Sequence, residues 1–359
     1  MAEKKKIAVC FGGRSSEHEV SCLSAAWVVE NINAEKYDVI KIGISKNGRW
    51  FLYLGGVDEM RGCIWAQDKD HLVPCAILPS ASRRGLFSFE TKDGVLIPRS
   101  LESPDLVFPV LHGKNGEDGT IQGLLQLAGI PFVGSGAYSS ALCMNKNAAK
   151  LLVRGRGIAG VADWICLKKG EYDIDEAQKW VNETALLPVF VKPACAGSSV
   201  GVTKVKSMAE LGAAVEAALL HDDRALVEKA VRGREIEVAI LSAGGKTYVS
   251  RCGEIDPGAE FYDYNTKYIA DTAKTYIPAR ITESAAQTAR AAAEKIYSAL
   301  DCKGLARVDF FVTERGEVVF NEINTMPGMT AISLYPRLME DIGFDGGKLV
   351  ERLIESAAE

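Results

Sequence analysis

The chain has 359 residues, a length typical of roughly two or three domains that each bury a core. Hydrophobic residues make up 47% and charged residues 25%, the composition of an ordinary soluble protein. The formal net charge of −5 disfavours a nucleic-acid-binding protein, because such proteins normally carry a basic excess.

The N-terminus and the cysteines favour a cytoplasmic protein without a membrane anchor. The apolar stretch 7–11 in "MAEKKKIAVCFGG" is too short for a signal peptide, and no run of ~18 apolar residues follows. The nine cysteines show no CxxC and no metal-ligand spacing. The four histidines are scattered without a pair at ligand spacing: His18, His71, His112 and His221. We therefore expect reduced thiols and no membrane span.

The first third of the chain alternates strands and helices. The strands "KIAVCFGG", "YDVIKIGIS" and "DLVFPVLHG" are joined by helical patterns, and the helix "GTIQGLLQLAG" should end at Gly129. This order predicts an open parallel sheet up to about residue 134, with a loop-rich insertion around 46–104. "GSGAYS" (134–139) imitates GxGxxG but lacks the third glycine and a well-placed ribose-binding acid, so we reject a dinucleotide site.

The rest of the chain predicts two further units. "PVFVKPACAGSSVGVTKV" reads as two strands around a glycine-rich turn, followed by the helix "SMAELGAAVEAALLHD" and the strand "ALVEKAV". From about residue 235 a hairpin turns at Gly244-Gly245. A polar stretch, 256–276, then leads to the helix "TESAAQTARAAAEKIYSAL" and to the strands "LARVDFFVT" and "EVVFNEIN".

Oxygen-bearing side chains interrupt the last two strands. Alternating residues from 318 to 324 should share one face, so the apolar positions run into Glu322 and Asn324. Asp309 lies on the neighbouring strand, with Arg307 two residues before it. Two carboxylates and an amide are suitable ligands for a hard divalent ion such as Mg²⁺. The alternative is that the carboxylates form a salt-bridge network with Arg307.

A glycine-rich turn upstream is a candidate phosphate-binding loop. Gly197, Ser198, Ser199 and Gly201 could surround phosphate oxygens with backbone N–H groups, and Lys192 precedes them on a strand. The segment lacks GxxxxGK[ST] and is therefore not a Walker loop. Such a turn is common by itself, but beside a carboxylate cluster it indicates a nucleoside triphosphate site.

These motifs together resemble the D-alanine–D-alanine ligases of the ATP-grasp superfamily, in the longer branch that includes the vancomycin-resistance ligases. The resemblance extends from Ile7 to the last helix. It rests on motifs that occur in order: "FGGRSSEHEVS", "LHGKNGEDGTIQG", "MNK", "KPACAGSSVG", "VEKAVRGREIEVA", "YDYNTKY", "ARVDF" and "NEINTMPGMT". It implies that ATP phosphorylates one D-alanine, and that a second D-alanine amine attacks the acyl phosphate to give a dipeptide, ADP and phosphate.

The resemblance also implies the architecture. We expect an α/β protein of ATP-grasp type, with an N-terminal Rossmann-like substrate-binding domain (1–134) and two α+β units that sandwich ATP. These are a central subdomain (135–227) with the phosphate loop and a C-terminal subdomain (228–359) with a mobile lid (256–276). The expected cofactors are ATP and two Mg²⁺ ions, with Mn²⁺ as a substitute. The expected context is cytoplasmic peptidoglycan precursor synthesis by a homodimer, without nucleic-acid or membrane partners.

Matching motifs imply roles for individual residues. Glu17 and Ser198 resemble the groups that hold the first D-alanine, and His112 lies near it in relatives. Arg307 and the N–H of Gly328 resemble the groups that neutralise the tetrahedral intermediate, and the lid would contribute Tyr268. The expected metal ligands are Asp309, Glu322 and Asn324. Ser333 and Leu334 resemble the pocket for the second amino acid. The expected ATP contacts are Lys146, Lys192, Gly197, Ser199, Val200, Gly201, Glu228, Lys229, Val231, Glu235, Lys267 and Phe320.

Some positions depart from the family pattern, and rival functions remain open. Ala196 stands where many relatives carry glutamate, Asn145 is often aspartate, and Ala331-Ile332 differ from the Ser-His of some members. A D-alanine–D-serine ligase is the main alternative, and a ligase for a different acid and amine is a further one. A non-catalytic binding protein should have lost some of the metal-binding residues, which are all retained.

Overall fold

The structure is a computed structural model and describes residues 4–83, 85–101, 103–256 and 274–357. Its strands form three sheets, which confirms the predicted α/β class with a leading α/β unit and two smaller sheets. The predicted lid falls largely within 257–273, outside the described residues, and so do Lys267 and Tyr268. Within the described ranges, no helix is long and apolar enough to cross a membrane.

The first sheet has seven strands in the order β6-β5-β4-β3-β2-β1-β7. The strand bounds are β1 (Lys5–Gly12), β2 (Tyr37–Ile44), β3 (Trp50–Tyr53), β4 (Leu72–Ile77), β5 (Leu86–Lys92), β6 (Val95–Ser100) and β7 (Leu106–Pro109). Strand β1 pairs in parallel with β2 and β7, as predicted. The helices of this region are α1 (His18–Asn31), α2 (Val57–Arg61) and α3 (Thr120–Ala128), and short 3₁₀ turns span Trp65–Gln67, Lys69–His71 and Ala81–Arg83.

The loop-rich insertion predicted around 46–104 is wrong. Strands β3 to β6 lie in this segment and extend the sheet by antiparallel pairing. One signal was available in the sequence: Asp93-Gly94 joins β5 to β6, and both residues have positive φ, +52° and +78°. Such two-residue turns match the twist of a hairpin. The strands are short, and their weak alternation hid the remaining pairs.

The second sheet carries the glycine-rich turn. Its order is β11-β10-β12-β9, with β9 (Trp164–Lys168), β10 (Val189–Pro193), β11 (Thr203–Val205) and β12 (Arg224–Lys229). Helices α6 (Ile174–Trp180) and α7 (Met208–Leu219) pack on it, with a π turn at Val181–Ala185. The predicted strand–turn–strand–helix order is confirmed, because β10 and β11 flank the turn antiparallel and α7 follows.

The third sheet has the order β15-β14-β13-β16-β17-β8. Its strands are β8 (Gly160–Val161), β13 (Arg234–Ala243), β14 (Lys246–Asp256), β15 (Lys274–Tyr276), β16 (Leu305–Val312) and β17 (Val318–Asn324). Helices α4 (Ala137–Met144), α5 (Lys146–Gly155) and α8 (Glu283–Ala299) cover one face, and α9 (Leu334–Asp341) and α10 (Gly346–Ser356) contact the other. Residues 137–161, which the predicted central unit included, thus pack on the third sheet instead.

A β-bulge in β17 decides which side chains face the cleft. Asp309 pairs with Glu322 and Phe310 with Phe320, so Asn321 is an extra residue between them. The bulge shifts the alternation by one position. The prediction that alternating residues from 318 to 324 share one face is therefore wrong. Phe320 is buried against the helices, whereas Glu322 lines the cleft.

Candidate active site

Two adjoining pockets form one continuous site. The first lies between the N-terminal unit and the third sheet, and its walls include Glu17, His112, Arg307 and Gly328. The second lies between the second and third sheets, and its walls include Lys192 and Asp309. The residues that line both are Lys146, Ala196, Gly197, Ser198, Glu237, Ile255 and Glu322. A ligand group in one pocket therefore lies next to a ligand group in the other.

The predicted oxygen cluster is assembled at this shared wall. Asp309 lies directly opposite Glu322 across the two strands, and Arg307 lies opposite Asn324. Arg307 donates to both oxygens of Asp309 at 2.8 and 2.7 Å and lies 3.1 Å from Glu237. Asn324 Nδ2 donates to Asp309 Oδ2 at 3.0 Å. Burial opposes the charge of Arg307, but Asp309 and Glu237 outweigh it and hold its pKa well above the ordinary value.

Lys146 connects the oxygen cluster to the candidate phosphate loop. Its Nζ lies 3.0 Å from Glu322 and donates to the carbonyl of Ala196 at 2.6 Å. Burial would lower the pKa of Lys146, but the carboxylate of Glu322 more than offsets this and the pKa is raised. Asn145, the residue before it, caps α5 by accepting from Ala148 N at 3.0 Å. The contact with the carbonyl of Ala196 joins Lys146 to the loop.

The loop itself has an unusual backbone. Ser198 and Ser199 have φ of +49° and +58°, a region that residues other than glycine rarely adopt. Ser198 Oγ donates to Glu17, and a Cβ on Gly197 would lie 2.6 Å from the same carboxylate. The loop thus approaches Glu17 as closely as glycine permits. Gly201 has φ of +70°, and a Cβ there would lie 2.7 Å from His221. The backbone conformation of the turn therefore favours glycine at this position.

Three charged side chains form a buried network at the other end of the second pocket. Glu228 accepts from Lys192 at 3.1 Å and lies 2.9 Å from Lys150, which is fully buried. Burial raises the pKa of Glu228, but the two lysines outweigh it and the pKa is lowered. Burial lowers the pKa of Lys150 to about 8. Glu228 is thereby held in place beside the remaining predicted nucleotide residues on this wall, Lys229, Val231 and Glu235.

Not every predicted nucleotide residue reaches the cleft. The prediction that Phe320 forms a floor under adenine is wrong, because its side chain is 1% exposed and packs against Phe310 in the core. The bulge turns Asn321 to the cleft in its place, where its Oδ1 lies 3.4 Å from Lys192. Among the described residues that line the two pockets, Val200 and Gly201 do not appear.

The substrate end contains a carboxylate oxygen without a partner. Glu17 is 6% exposed; Ser198 donates to Oε1, whereas Oε2 is buried and has no hydrogen-bond partner among the described residues. His112 is held by Met326 O and Ser24 Oγ, both at 2.9 Å, and burial lowers its pKa. The structure therefore presents a buried carboxylate oxygen without a hydrogen-bond partner in this pocket.

The turn after β17 forms the remaining wall. Ser333 Oγ lies 2.7 Å from Thr330 Oγ1 and accepts from Thr330 N at 3.2 Å. A Cβ on Gly328 would lie 3.0 Å from the same Ser333 Oγ. Leu334 lines the pocket and is only 6% exposed, whereas Ile332 is 74% exposed. An apolar side chain and a hydroxyl thus define this corner.

Sequence reasoning missed several residues of the site. Lys150 lies four residues after Lys146 and therefore on the same helical face, a spacing that could have indicated it. Glu237 pairs with Arg307 from a third strand and has no comparable local signal. Glu117 is buried near Glu17, and burial raises its pKa to about 8. It accepts from Gly113 N at 2.8 Å and from Met326 N at 3.3 Å.

Comparison with known proteins shows the family of this chain. Residues 6–135 match the family model "D-ala D-ala ligase N-terminus" and residues 152–355 match "D-ala D-ala ligase C-terminus". The chain is 43% identical over 359 residues to the D-alanine–D-alanine ligase of Caldicellulosiruptor bescii, covering 99% of this chain and 96% of that protein. It is 44% identical over 370 residues to that of Acetivibrio thermocellus, covering 100% and 97%.

Solved structures give the same result. The VanG D-Ala:D-Ser ligase from Enterococcus faecalis superposes with a TM-score of 0.87 at 42% identity, over 99% of this chain and 100% of that one. The D-alanine-D-alanine ligase from Coxiella burnetii gives 0.82 at 35% identity, over 99% and 94%. The fold and the two-part cleft define an ATP-grasp ligase. The chain belongs to the D-alanine–D-alanine ligase family.

Proposed function

We propose that this protein uses ATP to join two D-alanine molecules into D-alanyl-D-alanine for peptidoglycan precursors, releasing ADP and phosphate. The observation that supports this most is the wall shared by the two pockets, where Lys146, Gly197 and Glu322 face both. ATP in the cleft between the second and third sheets would have its terminal phosphate there. A D-alanine in the other pocket would have its carboxylate at the same place, as phosphate transfer between them requires.

The residues of the shared wall suit the formation of an acyl phosphate. A carboxylate is a poor acyl donor because its leaving oxygen is too basic, and phosphorylation removes that obstacle. The transfer brings a carboxylate close to a phosphate, so positive charge fixed in advance lowers the barrier. Lys146 supplies such charge from a buried position and Arg307 from a partly buried one, and both are hydrogen-bonded. Gly328 lines the first pocket, and its N–H is our proposed donor to the oxyanion of the later tetrahedral intermediate.

The oxygen cluster suits divalent magnesium. Asp309, Glu322 and Asn324 offer two carboxylates and an amide on paired strands, a hard donor set. Here Arg307 and Lys146 are paired with these carboxylates, so the salt-bridge alternative and the metal site share the same side chains. Bound Mg²⁺ would supply further positive charge to the phosphate oxygens. We propose two ions, with Mn²⁺ as a substitute.

Glu17 is the proposed anchor of the first D-alanine. An ammonium group would give its buried Oε2 the missing partner, and Ser198 holds the other oxygen. His112 has a lowered pKa and is fixed on both ring nitrogens, so we assign it a positioning role beside this substrate. Ser333 and Leu334 are the proposed contacts of the second amino acid. Tyr268 and Lys267 remain proposed lid residues.

The proposal extends to the setting of the enzyme. We propose a cytoplasmic location, which the free cysteines among the described residues support. We also propose a homodimer. Strand β6 is an edge strand whose Val95 and Leu96 are 62% and 63% exposed, and exposed apolar edges favour pairing with another chain. We keep the proposed division into units 1–134, 135–227 and 228–359. Residues 137–161 belong to the second unit in sequence but pack on the third sheet.

The first prediction tests the reaction. The purified protein should release phosphate from ATP only when both Mg²⁺ and a D-amino acid are present, because the oxygen cluster and the Glu17 pocket must both be filled. Phosphate release is measured with ATP and single D- or L-amino acids, with and without EDTA. Equal turnover in EDTA, or with L-alanine alone, would show that the proposed reaction is wrong.

The second prediction concerns D-serine, which the similarity to VanG makes the specific alternative. Leu334 offers an added hydroxyl no polar partner, and an apolar pocket rejects such a group by at most ~10²-fold. D-alanine should therefore be preferred over D-serine by roughly one to two powers of ten in kcat/KM, and Leu334→Arg should narrow the difference. Competition between both amino acids, resolved by dipeptide mass, measures this. Predominant D-Ala–D-Ser from the unmodified protein would establish the alternative.

A further inference from the structure

A second group of metal-ligand side chains lies outside the cleft, where α1 meets the turn after α2. His18 and Cys22 are one helical turn apart on α1, and Cys63 follows α2. One ring nitrogen of His18 and the two sulfurs all lie within 4.8 Å of one another. The sulfurs are 3.1 Å apart. The prediction that the histidines and cysteines show no ligand spacing overlooked the i, i+4 pair and its long-range partner.

The His18 ring is oriented as a metal ligand requires. Its Nδ1 lies 2.7 Å from the carbonyl of Gly13, so this nitrogen carries the proton and donates it. The ring also interacts with Cys63, and Nε2, which does not bond to Gly13, is the nitrogen that we assign to the metal. Metal-binding histidines almost always donate their other ring N–H to a carbonyl or carboxylate, which fixes the tautomer. Gly12, with φ of +84°, leaves the space for this ring.

A buried indole N–H lies beside Cys22. Trp65 is fully buried and stacks on the His18 ring at 6.4 Å and 17°. Its indole N–H has no nitrogen or oxygen acceptor among the described residues, and it lies close enough to Cys22 to lower the pKa of that thiol against larger opposing effects. A thiolate accepts such a hydrogen bond better than a thiol or a disulfide sulfur does. Cys63 is half-buried and gives access from solvent.

We propose that His18, Cys22 and Cys63 bind a thiophilic divalent metal ion, in the first instance Zn²⁺, with a fourth position open to solvent. Two sulfurs and one imidazole nitrogen are a common zinc donor set. The two sulfurs are now 3.1 Å apart. Two Zn–S bonds of ~2.3 Å at a tetrahedral angle require this distance to increase by about 0.7 Å. The turn that carries Cys63 permits this small shift. On binding, Cys22 and Cys63 each lose a thiol proton to solvent, and α1, which Glu17 precedes, becomes tied to the turn after α2.

The experiment uses the full, reduced chain with saturating Mg²⁺, so that the oxygen cluster is occupied before Co²⁺ is added as the probe. We expect one Co²⁺ per chain with a thiolate-to-cobalt charge-transfer band, which an oxygen site cannot give, and displacement by Zn²⁺. Cys63→Ser and Cys22→Ser should lose the band and bind Zn²⁺ at least ~10²-fold more weakly. Cys166→Ser, at another half-buried cysteine, is the matched control and should keep both the charge-transfer band and the Zn²⁺ affinity. Zn²⁺ should raise the Tm of the unmodified protein but not that of Cys63→Ser.

Each other outcome would overturn the proposal. The absence of a charge-transfer band, or a band that persists in folded Cys63→Ser, would exclude the site. Loss of the band in Cys302→Ser would show that Co²⁺ binds instead at the Cys143–Cys302 pair, whose sulfurs lie 3.6 Å apart. Reduced protein that binds no Co²⁺ but forms a Cys22–Cys63 disulfide with peroxide, detected by peptide mass, would identify a redox pair instead. Circular dichroism of each variant separates loss of ligand from loss of fold.

Discussion

Replacing Glu322 with glutamine is expected to lower kcat by at least ~10²-fold, because a positioned metal ion stabilises transition-state charge by several kcal/mol. The substitution keeps the side-chain volume and removes the charge of one proposed metal ligand. The fold should persist, since the Glu322 side chain is 22% exposed and Lys146 keeps its bond to Ala196 O at 2.6 Å. Phosphate release at saturating substrates measures kcat, and circular dichroism and Tm report the fold.

The matched control for this experiment is Glu314→Gln, which makes the same change of charge at an exposed position in the turn between β16 and β17. It should retain full activity. Arg307 is a less informative target than Glu322. Its removal leaves the buried carboxylates of Asp309 and Glu237 without the cation that pairs with them, which costs ~3–5 kcal/mol and confounds activity with stability. Collapse of the fold in Glu322→Gln would show that Glu322 is structural, and our assignment would then be wrong.

Local patterns were enough to predict the elements that build the site. The hairpin at Gly244-Gly245 and the end of the helix at Gly129 both follow from glycines, which tolerate positive φ. The φ of Gly244 is +62° and that of Gly129 is +66°. The approach of Asp309 to Glu322 follows from two consecutive strands that pair antiparallel. In each case the signal and the structure it predicts lie within a few residues, so no tertiary information was needed.

The bulge at Asn321 shows why local patterns could not predict the rest. A strict period of two places Phe320 beside Glu322, and one extra residue reverses that assignment without any change in composition. Contacts between distant segments are equally inaccessible: Ser198 and Glu17 are 181 residues apart, and Cys22 and Cys63 are 41 apart. The motif resemblance proposed the first pair and had no information on the second.

Glu17→Gln is expected to raise the D-alanine concentration for half-maximal phosphate release by at least ~30-fold and to leave that for ATP nearly unchanged. The reason is the buried Oε2, which lacks a partner and would accept an ammonium hydrogen bond. Removing one member of a buried, hydrogen-bonded charge pair costs ~2–5 kcal/mol in binding, or about 30-fold to several thousand-fold. The proposed ATP site lies on the other side of the shared wall, so the affinity for ATP should be affected little.

The control variant is Glu19→Gln, two residues further along α1. Glu19 makes a surface ion pair with Lys46, and such a pair contributes ~0–1 kcal/mol, so neither half-saturation constant should move. Glutamine at position 17 keeps an oxygen for the Ser198 hydroxyl, which should preserve the loop and the melting temperature. If the half-saturation constant for ATP rises as much as the one for D-alanine, Glu17 only supports the phosphate loop. An unchanged D-alanine constant would mean that the ammonium binds elsewhere, and the first pocket would then need a different occupant.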